Sequence, residues 1–376
     1  MYYVKETIVN DRAPSHIAEI SFHPSGSYFA ASYEDTNEVR LFDSLTRKHL
    51  RTFENPDSLL DRPHGVLLTE KYLLVSNAYD FSKPGTINVY SSSSTTTKPI
   101  QVFQTPFNHL REPHSLAMRN GILVATYAEN VAPSGALVSY GFDEKTGQIS
   151  DALDKTESWF STYGDPKGIC FNGEGTKLFV TFKSNKQISV AKRLFAALAS
   201  GRDLPLQTRL MQFGRKLKKK ALQNGRAFNY SLIQAHSQPS VGLEKPNPEY
   251  VKPARNGIAT FAIDAQGRIA RHPENVMVRK EFCRLENIDV FDHICAVTDT
   301  VNHLLLLYDL TGDQNFASPF HTANFGKATP HAATFSPDGK LLVISSLGRK
   351  VVNQELGFWD WQSPREDKIF ILERSI

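Results

Sequence analysis

The sequence predicts an all-β chain folded as a six-bladed β-propeller, on three observations. A strand–turn–strand phrase, clearest as FSPDGKLLVISS at 335–346, occurs six times with decay. A further apolar strand follows each phrase, usually with a more polar fourth strand behind it. The last unit stops at its third strand, IFILER (369–374), while YYVKETIV (2–9) precedes the first unit and alternates like a strand. Four short strands per unit is the blade pattern. A lone four-stranded sheet cannot cover both of its faces, so such units must pack on neighbours in a closed ring.

The first phrase, HIAEISFHPSGSYFAASYED, starts at His16 and leads to VRLF (39–42) and HLRTF (49–53). The second, PHGVLLTEKYLLVSNAYD, starts at Pro63 and leads to INVY (87–90) and IQVF (100–103). PHSLAMRNGILVATYAEN follows from Pro113, with LVSY (137–140) as its third strand. PKGICFNGEGTKLFVTFKSN starts at Pro166, but its third strand, IATFAI (258–263), comes only after a long insertion. ENIDVFDHICAVTDTVN from Glu286 precedes LLLLYDL (304–310), and PHAATFSPDGKLLVISSLG from Pro330 precedes IFILER. Asp-Gly between apolar runs is a hairpin signal. Residues 2–9 are expected to supply the missing outer strand of blade six, which would cover both chain ends with hydrogen bonds. On this reading residues 1–376 are a single propeller domain.

Composition is that of a globular chain, with 40% hydrophobic and 22% charged residues. A net charge of +4 is too small to imply nucleic acid. The N-terminus carries charges at once and has no apolar h-region, so no signal peptide is expected, and no run is long enough for a transmembrane helix. Cys170, Cys283 and Cys295 form no CxxC and no metal-ligand spacing, which fits a reducing cytoplasm without a disulfide framework. GxSxG, HExxH, Walker A and EF-hand motifs are absent.

The PHG, PHS and PHA starts and the FSPDGKLLVISS phrase resemble the lactonase-type, YVTN-repeat propellers, a group of 6-phosphogluconolactonase-like and YncE-like proteins. The resemblance covers most of the chain at the level of the repeat. Its best-known members have seven blades, so seven is the alternative count. It implies lactone hydrolysis, or a related lyase or isomerase step, on a small oxygenated molecule.

Aligned by phrase, His16, His64, His114, Lys167, Asn287 and His331 fall together at the start of the innermost strands. Propellers of the type resembled carry those positions around the central channel. Convergent imidazoles suit proton transfer or a divalent metal, so His16, His64, His114 and His331 are the candidate metal ligands and, with Lys167 and Asp299, the candidate catalytic residues. The competing reading is that each histidine hydrogen-bonds a neighbouring blade's backbone. A second column, at the end of the second strands, holds Ser32, Asn77, Tyr127, Lys183, Asp299 and Ser346, with Glu34, Tyr79, Glu129 and Asn185 two residues on. Asp299 is a candidate partner for Lys183 or Lys167. Asn77, Tyr127, Lys183, Asn287 and Arg349 are the candidate substrate-binding residues.

Strand alternation puts the fourth-to-first and second-to-third connections on one face. That face is expected to carry the histidine column, the 186–254 insertion, the loops near 79–86 and 128–135, and the 347–366 loop with Arg349, Glu355, Trp359, Asp360 and Trp361. SSSSTTT (91–97) belongs to the opposite face. Within the insertion, 192–226 holds ten basic residues and Asp203, a net +9 that leaves −5 for the rest of the chain. Helix-like spacing predicts a partly helical lid that attracts an anionic substrate, an acidic protein or a membrane surface; the alternative is a solvated charged helix. Two functions stay open. One is a lactonase-like enzyme with its small-molecule pocket at the channel mouth. The other is a non-catalytic scaffold that holds a protein or peptide on the same face.

Overall fold

The computed structural model describes residues 2–9, 16–54, 56–78, 84–107, 110, 112–128, 135–183, 256–311, 316, 318–347, 350–353, 358–360 and 367–375. Among them run six four-stranded antiparallel sheets, the blades of a six-bladed β-propeller. The N-terminal strand is β1 (Tyr2–Val9). Blade one follows as β2 (Ile17–Phe22), β3 (Tyr28–Tyr33), β4 (Glu38–Asp43) and β5 (His49–Glu54). Blade two is β6 (Pro63–Leu68), β7 (Tyr72–Asn77), β8 (Thr86–Ser91) and β9 (Gln101–Gln104). Blade three is β10 (Pro113–Arg119), β11 (Ile122–Tyr127), β12 (Ala136–Asp143) and β13 (Gln148–Thr156). After a short helix, α1 (Ser158–Tyr163), blade four is β14 (Asp165–Phe171), β15 (Lys177–Lys183), β16 (Asn256–Ala262) and β17 (Asn275–Arg279). Blade five is β18 (Leu285–Phe291), β19 (Ile294–Asp299), β20 (Leu304–Asp309) and β21 (His321–Asn324). Blade six begins with β22 (Pro330–Phe335) and β23 (Leu341–Ser346).

A small hairpin, β24 (Lys350–Asn353) with β25 (Phe358–Asp360), then interrupts blade six before its third strand, β26 (Lys368–Arg374). Its outer strand is β1, antiparallel to β26 from Tyr2↔Arg374 to Val9↔Lys368. Tyr2 Oη also donates to the carbonyl of Gly339, in the β22–β23 turn, at 2.6 Å. Neither α1 nor this hairpin was foreseen from the sequence. Trp159 of α1 packs edge-on against Phe182 and Phe261, so the helix is held by blade four's aromatic core and needs no length of its own.

The apolar core lies between blades. Each of six buried clusters joins two neighbours. In one, Val39, Leu41 and Phe53 of blade one meet Val66, Val75 and Tyr90 of blade two. In another, Ile17, Phe29 and Tyr33 of blade one meet Val343, Ile369 and Ile371 of blade six, which closes the circle. The alternating strands thus use both faces, as a sheet buried on both sides must.

Every innermost strand carries the same irregularity. In blade one, Ile17↔Tyr33 is followed by Ile20↔Ala31, so two residues, Ala18 and Glu19, oppose the single Ser32. The same three-against-two step occurs at Pro63/Val66, Pro113/Leu116, Pro166/Ile169, Leu285/Ile288 and Pro330/Ala333. This is a β-bulge, which re-aims side chains where a flat ladder would not. The residue opposite each bulge is a buried serine or threonine: Ser32, Ser76, Thr126, Thr181, Thr298 or Ser345. Its hydroxyl accepts the second bulge residue's N–H, at 2.7–3.2 Å, in all six blades. In five blades it also donates to the carbonyl of the next blade's first bulge residue, at 2.5–2.9 Å: His64, His114, Lys167, His331 and Ala18. In blade four the approach is made by backbone. A Cβ on Gly168 would lie 2.5 Å from Asn287 Cα, so only glycine lets blade five come this close.

The 186–254 insertion, with its basic stretch 192–226, and Arg349 lie outside the described residues, as do Tyr79, Glu129, Asn185, Glu355 and Trp361. No helix among the described residues is long and apolar enough to cross a membrane.

The hydroxyl bridges give a direct test. Thr298→Val keeps the shape but strands the Asn287 N–H and one bond to the His331 carbonyl. It should cost about 1–3 kcal/mol in denaturant unfolding, while Thr298→Ser stays near wild type. Equal stability of the valine variant would show that the bridge contributes nothing.

Candidate functional site

The bulge register decides which residues share a position on the axis. Ala18, His64, His114, Lys167, Glu286 and His331 are the first bulge residues of blades one to six. Glu19, Gly65, Ser115, Gly168, Asn287 and Ala332 are the second. This corrects the phrase alignment in two blades. His16 stands two residues before its expected place, in a preceding column with Arg62 and Arg284, and Asn287 stands one residue after. The reason is that blades one and five lack the proline that marks the start elsewhere. The second column is corrected likewise: Tyr33 and Phe182, not Ser32 and Lys183, share a register with Asn77, Tyr127, Asp299 and Ser346.

The structure nonetheless brings all four histidines together. The rings of His64 and His114 have centroids 3.6 Å apart. His331 lies 5.3 Å from His64 and 5.5 Å from His16, edge-on to both. Lys167 Nζ is 3.5 Å from His114 Nε2. His16 and Arg62, equivalent in register, both adopt left-handed backbone, at φ +56° and +53°. That conformation is uncommon for such residues and is held here by Glu34. Glu34 takes His16 Nδ1 at 2.9 Å and pairs with Arg62. The His16 N–H is further fixed on Asp367 Oδ2 at 3.1 Å. On the far side of the axis Arg284 pairs with buried Glu286.

Burial sets the protonation of this cluster. Desolvation, helped by neighbouring histidines and Lys167, holds His64 and His114 well below the usual imidazole range. The same burial lowers His331 to about 4. All three rings are therefore neutral near pH 7. Burial alone would raise Glu34 and Glu286, but Arg62 and His16 outweigh it for Glu34, and Arg284 and Lys167 for Glu286; both stay ionised. His331 Nδ1 lies 2.8 Å from the Ala18 carbonyl, a bond in which the ring must be the donor. That fixes the tautomer and leaves Nε2 with its lone pair. His331 thus does bond a neighbouring blade's backbone.

Below the histidines the channel opens into a cavity of about 250 Å³ lined by all six innermost strands, including Glu19, Ser115, Arg119, Cys170, Asn287 and Asp289. Glu19 joins the two regions, and sequence reasoning missed it. The signal was present: HIAEISF puts an acid in mid-strand, where the other blades carry Gly65, Ser115, Gly168, Asn287 and Ala332. Burial pushes its carboxyl up to about 8, against bonds from the Ser115 side chain and the Val66 backbone. Asp289, on the channel wall, is pushed by burial to about 7. Cys170 and Cys295 are buried, free and raised by burial, hence unreactive.

The remaining candidates are placed in bonds with the scaffold. Asn77 Oδ1 caps the Asp61 N–H, and its Nδ2 donates to Thr86. Tyr127 Oη lies 2.7 Å from Tyr140 Oη inside the core between blades two and three. Asp299 accepts the Cys283 and Arg284 N–H groups and Asn302 Nδ2, so it braces a loop where a bond to Lys183 or Lys167 was expected. Asn287 Oδ1 accepts the Ala333 N–H across the blade boundary. Lys183 ends β15, and its charge helps keep Glu286 ionised.

No family model and no curated protein match the chain. Among solved structures, Kuenenia stuttgartiensis hydrazine synthase is similar at 12% identity and a TM-score of 0.51, covering 100% of this chain and 99% of that one. A luciferin-regenerating enzyme is similar at 8% identity and a TM-score of 0.55, covering 98% and 96%. At such identity the likeness shows the fold alone.

The Asp289 shift makes stability depend on pH. The folded carboxyl keeps a proton that the unfolded chain releases above about pH 4, so this contribution falls as pH rises from about 4 to 7. Denaturant midpoints of Asp289→Asn across that window should therefore fall less with pH than those of wild type. Parallel curves would show that the residue is not desolvated.

Proposed function

We propose that the chain is a propeller enzyme that opens a small, oxygenated, anionic lactone on the channel axis. One observation carries the reading: neutral His64, His114 and His331 and the side chain of Lys167 converge, buried, beside an open cavity. A scaffold gains nothing from desolvating such groups, whereas acid–base chemistry needs them. The sequence resemblance to lactonase-type propellers supports the same class.

In the reaction, His331 Nε2 takes a proton from water as the water oxygen bonds to the lactone carbonyl carbon. The Ala18 carbonyl holds the ring in the tautomer this requires. Lys167 faces the oxyanion and stabilises it in a site largely shielded from solvent. Collapse breaks the ring C–O bond, and the departing alkoxide recovers the proton from His331, releasing a hydroxy acid. Lys167, whose Nζ lies 3.5 Å from His114 Nε2 among the clustered histidines, is the group assigned to the oxyanion.

The test is a pH-stat assay over five- and six-membered lactones with and without carboxylate or phosphate groups. Turnover is expected on at least one anionic member, with kcat/KM lowered about 10²–10³-fold in Lys167→Met. No turnover on the whole panel, or a Lys167→Met protein at wild-type rate, would overturn the assignment.

A further inference from the structure

We propose that Glu19, His64 and His114 form a divalent transition-metal site on the propeller axis, open on one side to the channel cavity. One donor atom from each of the three residues lies within 4.8 Å of the others. Three atoms so spaced surround a point at most about 2.8 Å from each, and metal–nitrogen and metal–oxygen bonds run about 2.0–2.2 Å, so an inward movement under about 1 Å closes the site. Glu19 Oε1, His64 Nδ1 and His114 Nδ1 are all buried and have no hydrogen-bonding partner within the protein. Buried polar atoms are rarely left so, and three on the innermost strands of neighbouring blades, in residues whose donor atoms converge, call for a shared explanation.

The neighbouring groups separate ligands from bystanders. His331 Nδ1 is held by the Ala18 carbonyl and His16 Nδ1 lies 2.9 Å from the Glu34 carboxylate; of the four histidines read from the sequence, His64 and His114 are the two whose donor atoms converge with a carboxylate, Glu19, that the sequence did not flag. The donors sit on β2, β6 and β10 at bulges pinned by Ser32, Ser76 and Thr126, which fixes them on rigid elements. The Ser115 side chain and the Val66 N–H bond the Glu19 carboxylate and orient it. Two imidazoles and one carboxylate suit zinc and its neighbours in the first transition row. Three protein ligands leave a coordination position free, and the cavity lined by Glu19 gives it somewhere to face.

The site shares its axis with the proposed reaction, and its test does not depend on turnover. Full-length protein without an affinity tag is stripped with chelator, then titrated with Zn²⁺ and Co²⁺. Metal content is read by mass spectrometry, and Co²⁺ ligation by its visible absorption. One ion per chain is expected for wild type and for the exposed-site control His272→Gln, with affinity lowered at least about 100-fold in Glu19→Gln and His64→Gln. Near-UV circular dichroism checks that the stripped variants are folded. Should either unfold, anomalous scattering from wild-type crystals soaked in Co²⁺ replaces it, with the peak expected between the three side chains. Absence of a bound ion, equal affinity in the variants, or a peak elsewhere overturns the site. An ion bound without lactone turnover overturns the reaction and leaves the site standing; turnover by wild type that binds no ion does the reverse.

Discussion

A buried hydroxyl opposite each innermost-strand bulge is the constraint on which the rest of the ring depends. The bulge removes one residue from the ladder and leaves an N–H without its strand partner. The serine or threonine of the second strand accepts that N–H, and in five of the six blades its own proton goes to the neighbouring blade's carbonyl. One side chain thus satisfies its own sheet and docks the next. Each such bond contributes only about 1 kcal/mol net, but an unmet buried donor costs more than a made bond returns. The hydroxyls therefore act on uniqueness as much as on stability: a blade shifted by one residue would lose its bulge, its bridge and its apolar face together.

Because the bulge is repeated, the ring offers two tiers of equivalent positions on the axis, and the chain has differentiated them. The upper tier reads Ala18, His64, His114, Lys167, Glu286, His331 around the circle. The lower reads Glu19, Gly65, Ser115, Gly168, Asn287, Ala332. Small residues fall where a neighbour's side chain or backbone needs the room. A Cβ at Gly65 would come 2.4 Å from the His114 carbonyl. Charge is distributed unevenly around the circle. The Glu34–Arg62 pair lies beside blades one and two, with Glu19, His64 and His114 next to it, while Lys167, Glu286 and Arg284 cluster at blades four and five and His331 stands in blade six.

The architecture was legible because it is written six times. Decayed copies of one phrase gave the strand positions, the blade count and the polarity of each strand without any single strong motif. The axis was legible only where a copy kept its leading proline. In blade one the phrase begins HIAE and in blade five ENID, and there the visible polar residue is not the equivalent one. Aligning on it moves His16 and Asn287 into a column belonging to Ala18 and Glu286. Nothing in a period-two pattern announces a bulge, and a bulge changes which residue faces the channel. The hydroxyls that mark it stand in the sequence as AS, VS, AT, VT, VT and IS near the end of each second strand, one residue before Asn77, Tyr127, Asp299 and Ser346. Helix α1 and the β24–β25 hairpin were missed for another reason: each is a local excursion stabilised by packing or pairing that no repeat encodes.

The same logic separates site from scaffold among the buried polar residues. Asn77, Tyr127, Asp299 and Asn287 all lie near the ring and all looked functional by position, yet their polar atoms are engaged by backbone or core partners. A group consumed in this way braces the structure and has little left for a ligand. At the axis this holds only in part. His331 is anchored through one nitrogen and keeps the other, while Glu19, His64 and His114 each keep a buried donor or acceptor unmatched. Unmatched polarity is costly in an interior of low dielectric, and a ring this repetitive had a simpler solution available in the small residues it uses at Ala18 and Ala332. The chain instead accepts that cost on the axis, next to the cavity, on strands that its hydroxyl bridges hold in register.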